Sequence, residues 1–506
     1  MPVILSEQFY SSAPSASIHS IINNDRNKYV SGCDPLRLYR NYVEGKQQQT
    51  LTIGQREILR EVIGHEFADN VCLQIIAEAA DRLNMIRWTC EDKKVQEFLD
   101  ALFITSSVED FAGEIHFNMI QDGNHVVALG WDQEAQRVTL HSEPWWDERE
   151  GVFIAYDDLR QPKYGVKEWY PGYDEDGNPN DNLKRRNIWF KGRLERYISP
   201  GGGSEWIPYS LPEDNGQWPL PWKKADGSDM AIPYVHFINS GKTVRGAYGR
   251  SDLAGGVLGF QDQINDLQYA ITAAARMTAY QMYTAAGIEP KKDAKGDDLP
   301  PEVGPGRLLW SSNPDAKFGR IPAGDLNPLL SAYGTKQRRV AQMTRTPFHV
   351  ISGGDWPSAD ALRIAERPAV QKANRNVRKG RVKWSEVAHR ATEISNAFSK
   401  DQTLEEDVVK APIVSEFGPT ERVEFGDMAQ TIQQLGGFIS RREGLRKMGY
   451  SESSVEKIIA EKIKETTEFQ SAQIARNQSQ FDNRNRFGQQ NEQGTGPDPG
   501  AINKNL

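Results

Sequence analysis

The sequence has little cysteine, no long apolar run and no excess of positive charge. Its cysteines are Cys33, Cys72 and Cys90, an odd number without the spacing of metal ligands, so we expect reduced thiols and no disulfide framework. No stretch approaches the roughly 18–20 apolar residues of a membrane-spanning helix. The N-terminal stretch MPVILSEQFYSSAPSAS lacks the basic flank of a secretory signal. The few cysteines, the lack of a long apolar run and the lack of a signal-like N-terminal stretch predict a protein that is made in a cytoplasm-like compartment and has no membrane partner.

The chain is acidic overall but basic in one stretch. It has 61 Lys and Arg residues against 69 Asp and Glu, a formal net charge of −8. Proteins that hold DNA tightly neutralise its phosphates with basic side chains, because counterion release drives that binding. The balance therefore excludes a DNA clamp as the role of the whole chain.

Residues 363–390 differ, with nine Lys or Arg and two Glu, a local balance of +7. A solvated helix face would explain this run, but it is also the best candidate for a surface that faces a polyanion.

The most regular apolar pattern lies in residues 251–287. Ser251 and Asp252 offer a helix start and Gly287 offers a stop, so the pattern predicts one helix, about 50 Å long at ~1.5 Å per residue. Residues 288–325 are rich in proline and glycine, and a helical pattern resumes at Asn327. The chain thus runs out along one helix and returns along another. The apolar seam of the first helix consists of Leu253, Val257, Phe260, Ile264, Leu267 and Ile271.

Other segments predict a mixed fold in which helices dominate. A further long helix is expected from Ser358 to Phe398, with a kink or restart at Pro368. Alternating strands are expected at residues 125–130 and 137–141. We therefore expect an α+β, predominantly helical fold. The shorter helices are expected at residues 52–83, 95–102 and 108–122.

A second interpretation comes from an aromatic segment, residues 145–222. Carboxylates lie within or beside it at Glu143, Asp147, Glu148 and Glu150. Aromatic platforms beside paired carboxylates are typical of glycosidases, so a carbohydrate-active enzyme or lectin is the main alternative. Half-buried strands are also rich in aromatics and explain the same composition. The aromatic residues are Trp145, Trp146, Trp169, Tyr170, Tyr173, Trp189, Trp206, Trp218 and Trp222.

Two motif candidates fail on their spacing. Asp174, Asp176 and Asn178 begin like a calcium loop, but Pro179 occupies the glycine position. Gly241-Lys242-Thr243 resembles the end of a phosphate loop, but His236 occupies the position of its first glycine. We therefore expect no metal site, no nucleotide cofactor and no catalytic residues.

Several short motifs, in this order, resemble the portal proteins of tailed bacteriophages. Asn70-Val71 and Asp122-Gly123-Asn124-His125 are similar to the N-terminal half of that family. Ser358-Ala359-Asp360-Ala361-Leu362-Arg363 is similar to the family's Ser-Gly-x-Ala-Leu-Arg, with Ala359 in place of the glycine. The resemblance covers about residues 50–470. Its central motifs are Pro233-Tyr-Val-His-Phe-Ile-Asn239, Gly249-Arg250-Ser251-Asp252-Leu253 and Gln261-Asp262-Gln263-Ile264-Asn265.

The resemblance implies a ring, usually of twelve subunits, with a wing, a helical stem, a small clip, a tunnel loop and a helical crown. Two capping-box spacings, at Ser440 and Ser453, support helices in the crown, and the polar composition of residues 477–506 predicts disorder. The implied segments are wing 1–250, first stem helix 251–287, clip 288–325, second stem helix 326–345, tunnel loop 346–357, long channel-side helix 358–402, return to the wing 403–426, crown 427–476 and tail 477–506.

The resemblance also implies where functional residues lie. In the tunnel loop, glycines would act as hinges and apolar side chains as a collar: Phe348, Val350, Ile351, Gly353, Gly354, Asp355 and Trp356. Candidates to face DNA in the channel are Arg363, Arg367, Lys372, Arg375, Arg378 and Lys379. Candidates for partner docking on the clip are Lys291, Lys292, Arg307, Trp310 and Lys317.

A portal-like role implies a structural subunit without enzymatic turnover. The ring would stand at the capsid vertex of the virion after assembly in the host cytoplasm, and double-stranded DNA would pass through it during packaging and ejection. The implied partners are the large terminase subunit, the major capsid protein, the scaffold and the neck or adaptor proteins. Another ring of the head-to-tail neck is a further alternative, but neck adaptors are usually much smaller.

Overall fold

The structure is a computed structural model in two compact units, residues 1–421 and 422–506, which we describe separately. In the first unit it describes residues 15–30, 35–47, 69–172, 183–203, 205–211, 214, 216–239, 243–244, 247–279, 283–286, 291–292, 298–299, 313–320, 325–353, 359–399 and 411–421. In the second unit it describes residues 440, 442, 444–445, 455–471 and 473.

Helices provide most of the regular structure of the first unit. Several begin or end at side chains with a clear capping role: Asn70 accepts a hydrogen bond from the Leu73 amide, and Asp92 accepts from the amides of Lys94 and Val95. The helices are α1 (Ser15–Val30), α2 (Leu36–Val43), α3 (Val71–Ala80), α4 (Lys93–Thr105), α5 (Val108–Asp122), α6 (Val257–Ala279), α7 (Asn327–Thr344), α8 (Phe348–Ser352) and α9 (Ala359–Phe398).

The strands form small antiparallel sheets. The strands are β1 (Met85–Cys90), β2 (Asn124–Asp132), β3 (Arg137–Pro144), β4 (Gly151–Tyr156), β5 (Pro162–Trp169), β6 (Lys184–Phe190), β7 (Arg193–Ser199), β8 (Ile207–Pro208), β9 (Leu220–Pro221), β10 (Tyr234–Ile238), β11 (Thr243–Val244), β12 (Tyr248–Gly249), β13 (Tyr283–Ala286), β14 (Lys291–Lys292), β15 (Asp298–Leu299), β16 (Lys317–Arg320) and β17 (Ile413–Phe417). The two main sheets have the orders β10-β2-β3 and β4-β5-β6-β7-β8, with β9 beside β7. The pairs β1-β17, β11-β12, β13-β16 and β14-β15 complete the set, so the α+β expectation is met.

The core of the first unit lies between α9 and the sheets. Trp384 of α9 is fully buried, donates its indole N–H to His116 Nε2 at 3.0 Å, and accepts through its backbone carbonyl from the indole of Trp88. Phe237 of β10 packs on the same ring, with centroids 5.0 Å apart. This aromatic cluster fixes the long helix across the β10-β2-β3 sheet and the β1-β17 pair. The burial of such large rings is the main apolar contribution at this contact.

A buried charge cluster attaches α1 to the larger sheet. Glu168 of β5 is only 2% exposed and forms ion pairs with Arg26 of α1 (2.5 Å), Lys184 (2.7 Å) and Arg186 (2.6 Å). Burial alone would raise the pKa of Glu168, but the three positive charges lower it to about 2. One carboxylate therefore stabilises three buried cations at this joint.

The first of the two predicted stem helices is shorter than expected. Helix α6 begins at Val257, because Gly255 and Gly256 adopt the left-handed φ values of +87° and +94°. Ser251 is not its N-cap: the Ser251 hydroxyl accepts from the Leu253 amide in a turn. At the other end, the strand β13 starts at Tyr283 and pairs with β16, before the predicted stop at Gly287. The returning helix α7 packs against α6, and Lys336 lies 5.5 Å from the ring of Phe260.

The segment predicted as a tunnel loop contains a short helix. Residues 348–352 form α8 between Pro347 and Gly353, and Gly354, Asp355 and Trp356 lie outside the described residues. The side chain of Ile351 is buried, so it does not belong to an exposed apolar collar in this protomer, while Phe348 and Val350 are half-buried. Helix α9 continues through Pro368 without a break.

The remaining predicted segments are only partly described. In the proposed clip, β14 pairs with β15, and β16 pairs with β13, which lies just before the clip; Arg307 and Trp310 lie outside the described residues. In the second unit, residues 455–471 are helical, and residues 477–506 lie outside the described residues. Among the helices that the structure describes, none combines the length and apolar character needed to cross a membrane.

Candidate functional site

Three of the quoted motifs, at residues 122–125, 233–239 and 249–253, meet at one joint between the β10-β2-β3 sheet and the turn that precedes α6. The Asn239 amide donates to the Gly123 carbonyl at 2.9 Å, and the Asp252 amide donates to the Ile120 carbonyl at 3.1 Å. Gly123 has a φ of +84°, and a Cβ there would lie 2.5 Å from the carbonyl carbon of Arg250. A Cβ on Gly249 would overlap the Gly123 carbonyl oxygen. These two glycines allow backbone segments more than 120 residues apart to touch.

The side-chain carboxamide of Asn124, at the start of β2, joins this strand to Gly249 of β12. Its Oδ1 accepts from the Gly249 amide at 2.7 Å, and its Nδ2 donates to the Gly249 carbonyl at 3.0 Å. Since Oδ1 also lies 3.0 Å from His236 Nε2, that nitrogen carries the proton, and His236 Nδ1 accepts from the Tyr156 hydroxyl at 2.7 Å. Burial, with the charges of Lys383 and Lys379, holds the pKa of His236 well below its usual range. The ring is therefore neutral and structural.

Lys372, in the interior of α9, joins that helix to the end of α7 and to the turn that precedes α6. It was expected to face the channel, but its side chain is only 9% exposed, and its ammonium forms an ion pair with Asp252. The same ammonium donates to the Thr344 carbonyl at 3.0 Å, at the C-terminal end of α7, where the helix dipole favours a positive charge. Asp252 is held in turn by the Asn239 carboxamide at 3.0 Å. One side chain of α9 thus connects the return of α7 and the approach to α6.

The Gln261–Asn265 motif fastens the first turns of α6 to the start of α3. Gln261 Oε1 accepts from the Val71 amide at 3.1 Å, and Asn265 Oδ1 accepts from the Asp69 amide at 3.0 Å. The Val71 amide is one of the backbone donors that the start of α3 leaves without a partner in the helix, and Asp69 lies just before the Asn70 cap. The Asp69 carboxylate also accepts from the Tyr333 hydroxyl of α7 at 2.7 Å. The motif therefore binds α6 to the start of α3, and Asp69 binds α7 to the same place.

Four described basic residues of α9 share one exposed face of the helix. Arg363, Arg367 and Arg378 are exposed and lie within about 60° of one another at ~100° per residue. Arg381, which the sequence-based list missed, lies on the same face, and its 18-residue separation from Arg363 is the signal that would have found it. We call Arg363, Arg367, Arg378 and Arg381 the arginine stripe. Lys379 is exposed and Arg375 half-buried further round the helix.

The aromatic segment does not form a sugar-binding platform in the part that the structure describes. Trp145 is fully buried and stacks on His236 at 4.5 Å, and Trp222 packs edge-on against Trp189 at 5.0 Å. Trp146 and Trp206 lie against the guanidinium groups of Arg26 and Arg186 at 4.4 and 3.8 Å. Most of these rings therefore build the core, and Tyr173 lies outside the described residues.

Two carboxylates of that segment have structural partners. Glu143 accepts from Lys167 at 2.5 Å, and Asp147 accepts from Arg37 and Arg40, each at 3.2 Å. A glycosidase needs one carboxyl group with a free proton and another poised against the sugar. Neither ion-paired group meets that need. The described residues also contain no cluster of His, Cys, Asp and Glu able to hold a metal ion.

Comparison with known proteins gives one informative match. Residues 83–470 match the family model described as phage portal protein, SPP1 Gp6-like. No curated protein matches the chain. Solved structures of gene transfer agent (GTA) particles are also similar: the native virion at 14% identity and TM-score 0.35, covering 78% of this chain and 92% of that one, and the native neck computed with C12 symmetry at 13% identity and TM-score 0.37, covering 78% and 94%.

These TM-scores are too low to support any argument about shape or assembly, so the assignment depends on the family match. That match spans more than three quarters of the 506 residues and includes the motifs that converge on the joint between sheet and helices. The chain belongs to the SPP1 Gp6-like family of phage portal proteins.

Proposed function

We propose that this chain is the ring-forming subunit at the portal vertex of a tailed-phage-like virion. In this role it lines the channel for DNA packaging and ejection, and it docks the terminase motor first and the neck proteins later. The family match over residues 83–470 is the observation that carries the proposal. The paired helices α6 and α7, fastened to one rigid joint, suit a subunit that must keep its shape while neighbours close around an axis.

The charge distribution supports passage of DNA rather than tight binding. DNA that moves through a channel must not bind the wall tightly, because several strong phosphate contacts would stop its movement. A net charge of −8 repels the duplex from the wall, while the arginine stripe, about 27 Å long at ~1.5 Å per residue, offers a sparse attraction. The stripe is our proposed DNA-facing surface.

The proposed role is structural and involves no turnover. The sequence has His236 where a phosphate loop needs its first glycine, and the carboxylates of Glu143 and Asp147 are ion-paired rather than free for acid–base work. Lys291, Lys292 and Lys317, in the short strands between α6 and α7, are the described members of the proposed docking surface for the motor, the adaptors and the other partners. Measurable ATPase activity of the purified chain alone would contradict this part of the proposal.

Charge reversal on the arginine stripe tests the DNA-facing surface. We expect Arg367→Glu with Arg378→Glu to leave ring assembly intact and to reduce packaged DNA about tenfold or more, because like charge then repels the phosphates. Lys93→Glu with Lys94→Glu on α4 is the matched control, with the same change of net charge at exposed positions. Equal packaging by both variants in a quantitative packaging assay would remove the stripe from the proposal.

A further inference from the structure

The short helix α8 is bounded by two residues in the left-handed conformation. Arg345 has a φ of +58° and Gly353 a φ of +59°. A left-handed φ is unfavourable for an L-residue such as Arg345, so the surrounding structure must hold it in place. Between these points, Ile351 is buried, and the guanidinium of Arg338 lies 5.3 Å from the ring of Phe348. Helix α8 is thus a small rigid body with a backbone reversal at each end.

A bridge of charged side chains ties α8 to two other helices. His349 Nε2 lies 3.6 Å from Glu366 Oε1 of α9, and Glu366 Oε2 lies 3.6 Å from Arg82 Nη2, beyond the end of α3. Arg82 also donates to Glu78 Oε1 at 2.9 Å and to the Thr420 carbonyl at 3.1 Å. Glu366 is the member of this bridge that contacts both α8 and the body of the unit.

The Arg82 end of the bridge is fixed by further partners. Arg82 is 3% exposed and keeps Glu78 and Thr420 as partners whatever Glu366 does. His349 belongs to the segment with a backbone reversal at each end. Glu366 is 12% exposed, and charges this far from water interact more strongly than surface pairs. The contact between His349 and Glu366 is attractive when His349 Nε2 carries a proton.

We propose that Glu366 is the positioning residue of α8: it latches the short helix, through His349, to the fixed guanidinium of Arg82. The consequence for DNA rests on the proposed function, in which α8 belongs to the segment that faces the channel. Loss of the latch releases α8 from its docked position and leaves α9, which is held by its own buried aromatic contacts, in place.

Apolar docking of Ile351 and Phe348 is the competing explanation for the position of α8. The two explanations differ in what a change of charge at constant shape does. Glu366→Gln keeps the size and reach of the side chain but removes the negative charge. If apolar packing alone held α8, this substitution would leave its docked state unchanged.

The test measures how often Ile351 becomes accessible in the assembled, DNA-free protein. In an Ile351→Cys background, labelling of that cysteine by a thiol reagent, followed by mass spectrometry of the peptide, reports undocking of α8. We expect Glu366→Gln to accelerate labelling about tenfold or more. The matched control is Glu97→Gln, which removes an exposed carboxylate on α4 and leaves the labelling rate unchanged. Acceleration by less than about twofold overturns the proposal.

A second variant covers the case in which Glu366→Gln disturbs α9 itself. His349→Asn shortens the other end of the bridge, leaves Arg82 with Glu78, and should accelerate labelling to a similar extent. The combination of both substitutions should label no faster than either alone, since each breaks the same contact. Additive acceleration would overturn the latch. The labelling experiment contains no DNA, so a negative result would reject the role of Glu366 without affecting the portal proposal. A negative result in the packaging assay would likewise leave the labelling result unaffected.

Discussion

Single residues at the joint are constrained by close backbone approach. We predict that Gly249→Ala destabilises the protein by about 2–4 kcal/mol, because its Cβ overlaps the Gly123 carbonyl oxygen and neither backbone can move freely. Chemical denaturation measures this loss. Gly113→Ala on α5 is the matched control: a Cβ there has nothing within 4 Å, and alanine favours a helix. A loss below about 1 kcal/mol for Gly249→Ala would contradict the account of the joint.

At the residue scale, protonation of His116 makes the stability of the protein depend on pH. Burial lowers the pKa of His116 from 6.5 to about 4, and its Nε2 must stay unprotonated to accept from the Trp384 indole. Because the folded-state pKa is lowered, this stabilisation is complete above pH 6.5 and is lost as the pH falls towards 4. We predict that His116→Asn makes the fall in unfolding free energy over this range shallower by about 1.4 kcal/mol per pH unit.

The control for that measurement is another histidine. His141→Asn changes an exposed ring that bonds the Thr139 hydroxyl at 3.0 Å, and it should leave the slope unchanged. Denaturation curves at several pH values compare the variants with the parent. Identical slopes for the parent and His116→Asn would show that His116 does not contribute to the acid sensitivity.

At the scale of elements, Lys372 holds α9 to the end of α7 and to the turn that precedes α6. We predict that Lys372→Met destabilises the protein by about 3–5 kcal/mol, because it leaves the Asp252 carboxylate buried without its charge partner. Adding Asp252→Asn should restore part of the loss, since the uncompensated charge is then gone. Denaturation of the two single variants and the double variant gives the coupling energy. Independent, additive losses would show that the pair does not act as one joint.

The sequence predicts elements well where the pattern is local. The helix at 108–122 matches α5, and the expected strands at 125–130 and 137–141 lie within β2 and β3. The start of α6 was wrong, because Ser251 and Asp252 look like a cap but are used by Leu253, Ile120 and Lys372. Such distant contacts leave no local pattern. The short helix α8 was also missed, because five residues are too few to show a helical period.

The candidate site was predictable in its motifs but not in its contacts. Six short motifs gave the family and the order of the elements, yet nothing in their spacing indicates that Asn124 pairs with both backbone groups of Gly249. Lys372 was grouped with the arginines of α9 by composition alone. Its helical phase, about 180° from Arg363 at ~100° per residue, separates it from the stripe. The angular position of each basic residue around the helix was therefore the sequence information that the prediction did not use.

At the scale of the whole molecule, the central claim is assembly into a ring around a channel. The long helices leave apolar side chains uncovered within one protomer: Leu330 of α7 is 50% exposed and Ile364 of α9 is 62% exposed. Exposed apolar side chains on long helices suit contact with neighbouring copies. The arginine stripe then acquires a function only if those copies enclose a space wide enough for a duplex.

The most direct test is the native mass of the purified full-length chain together with negative-stain images of the same sample. We predict a closed ring, of about twelve copies of the 57.0 kDa chain as in most portal proteins, with a central opening in end-on views. A stable monomer, or a closed assembly without a central opening, would contradict the account.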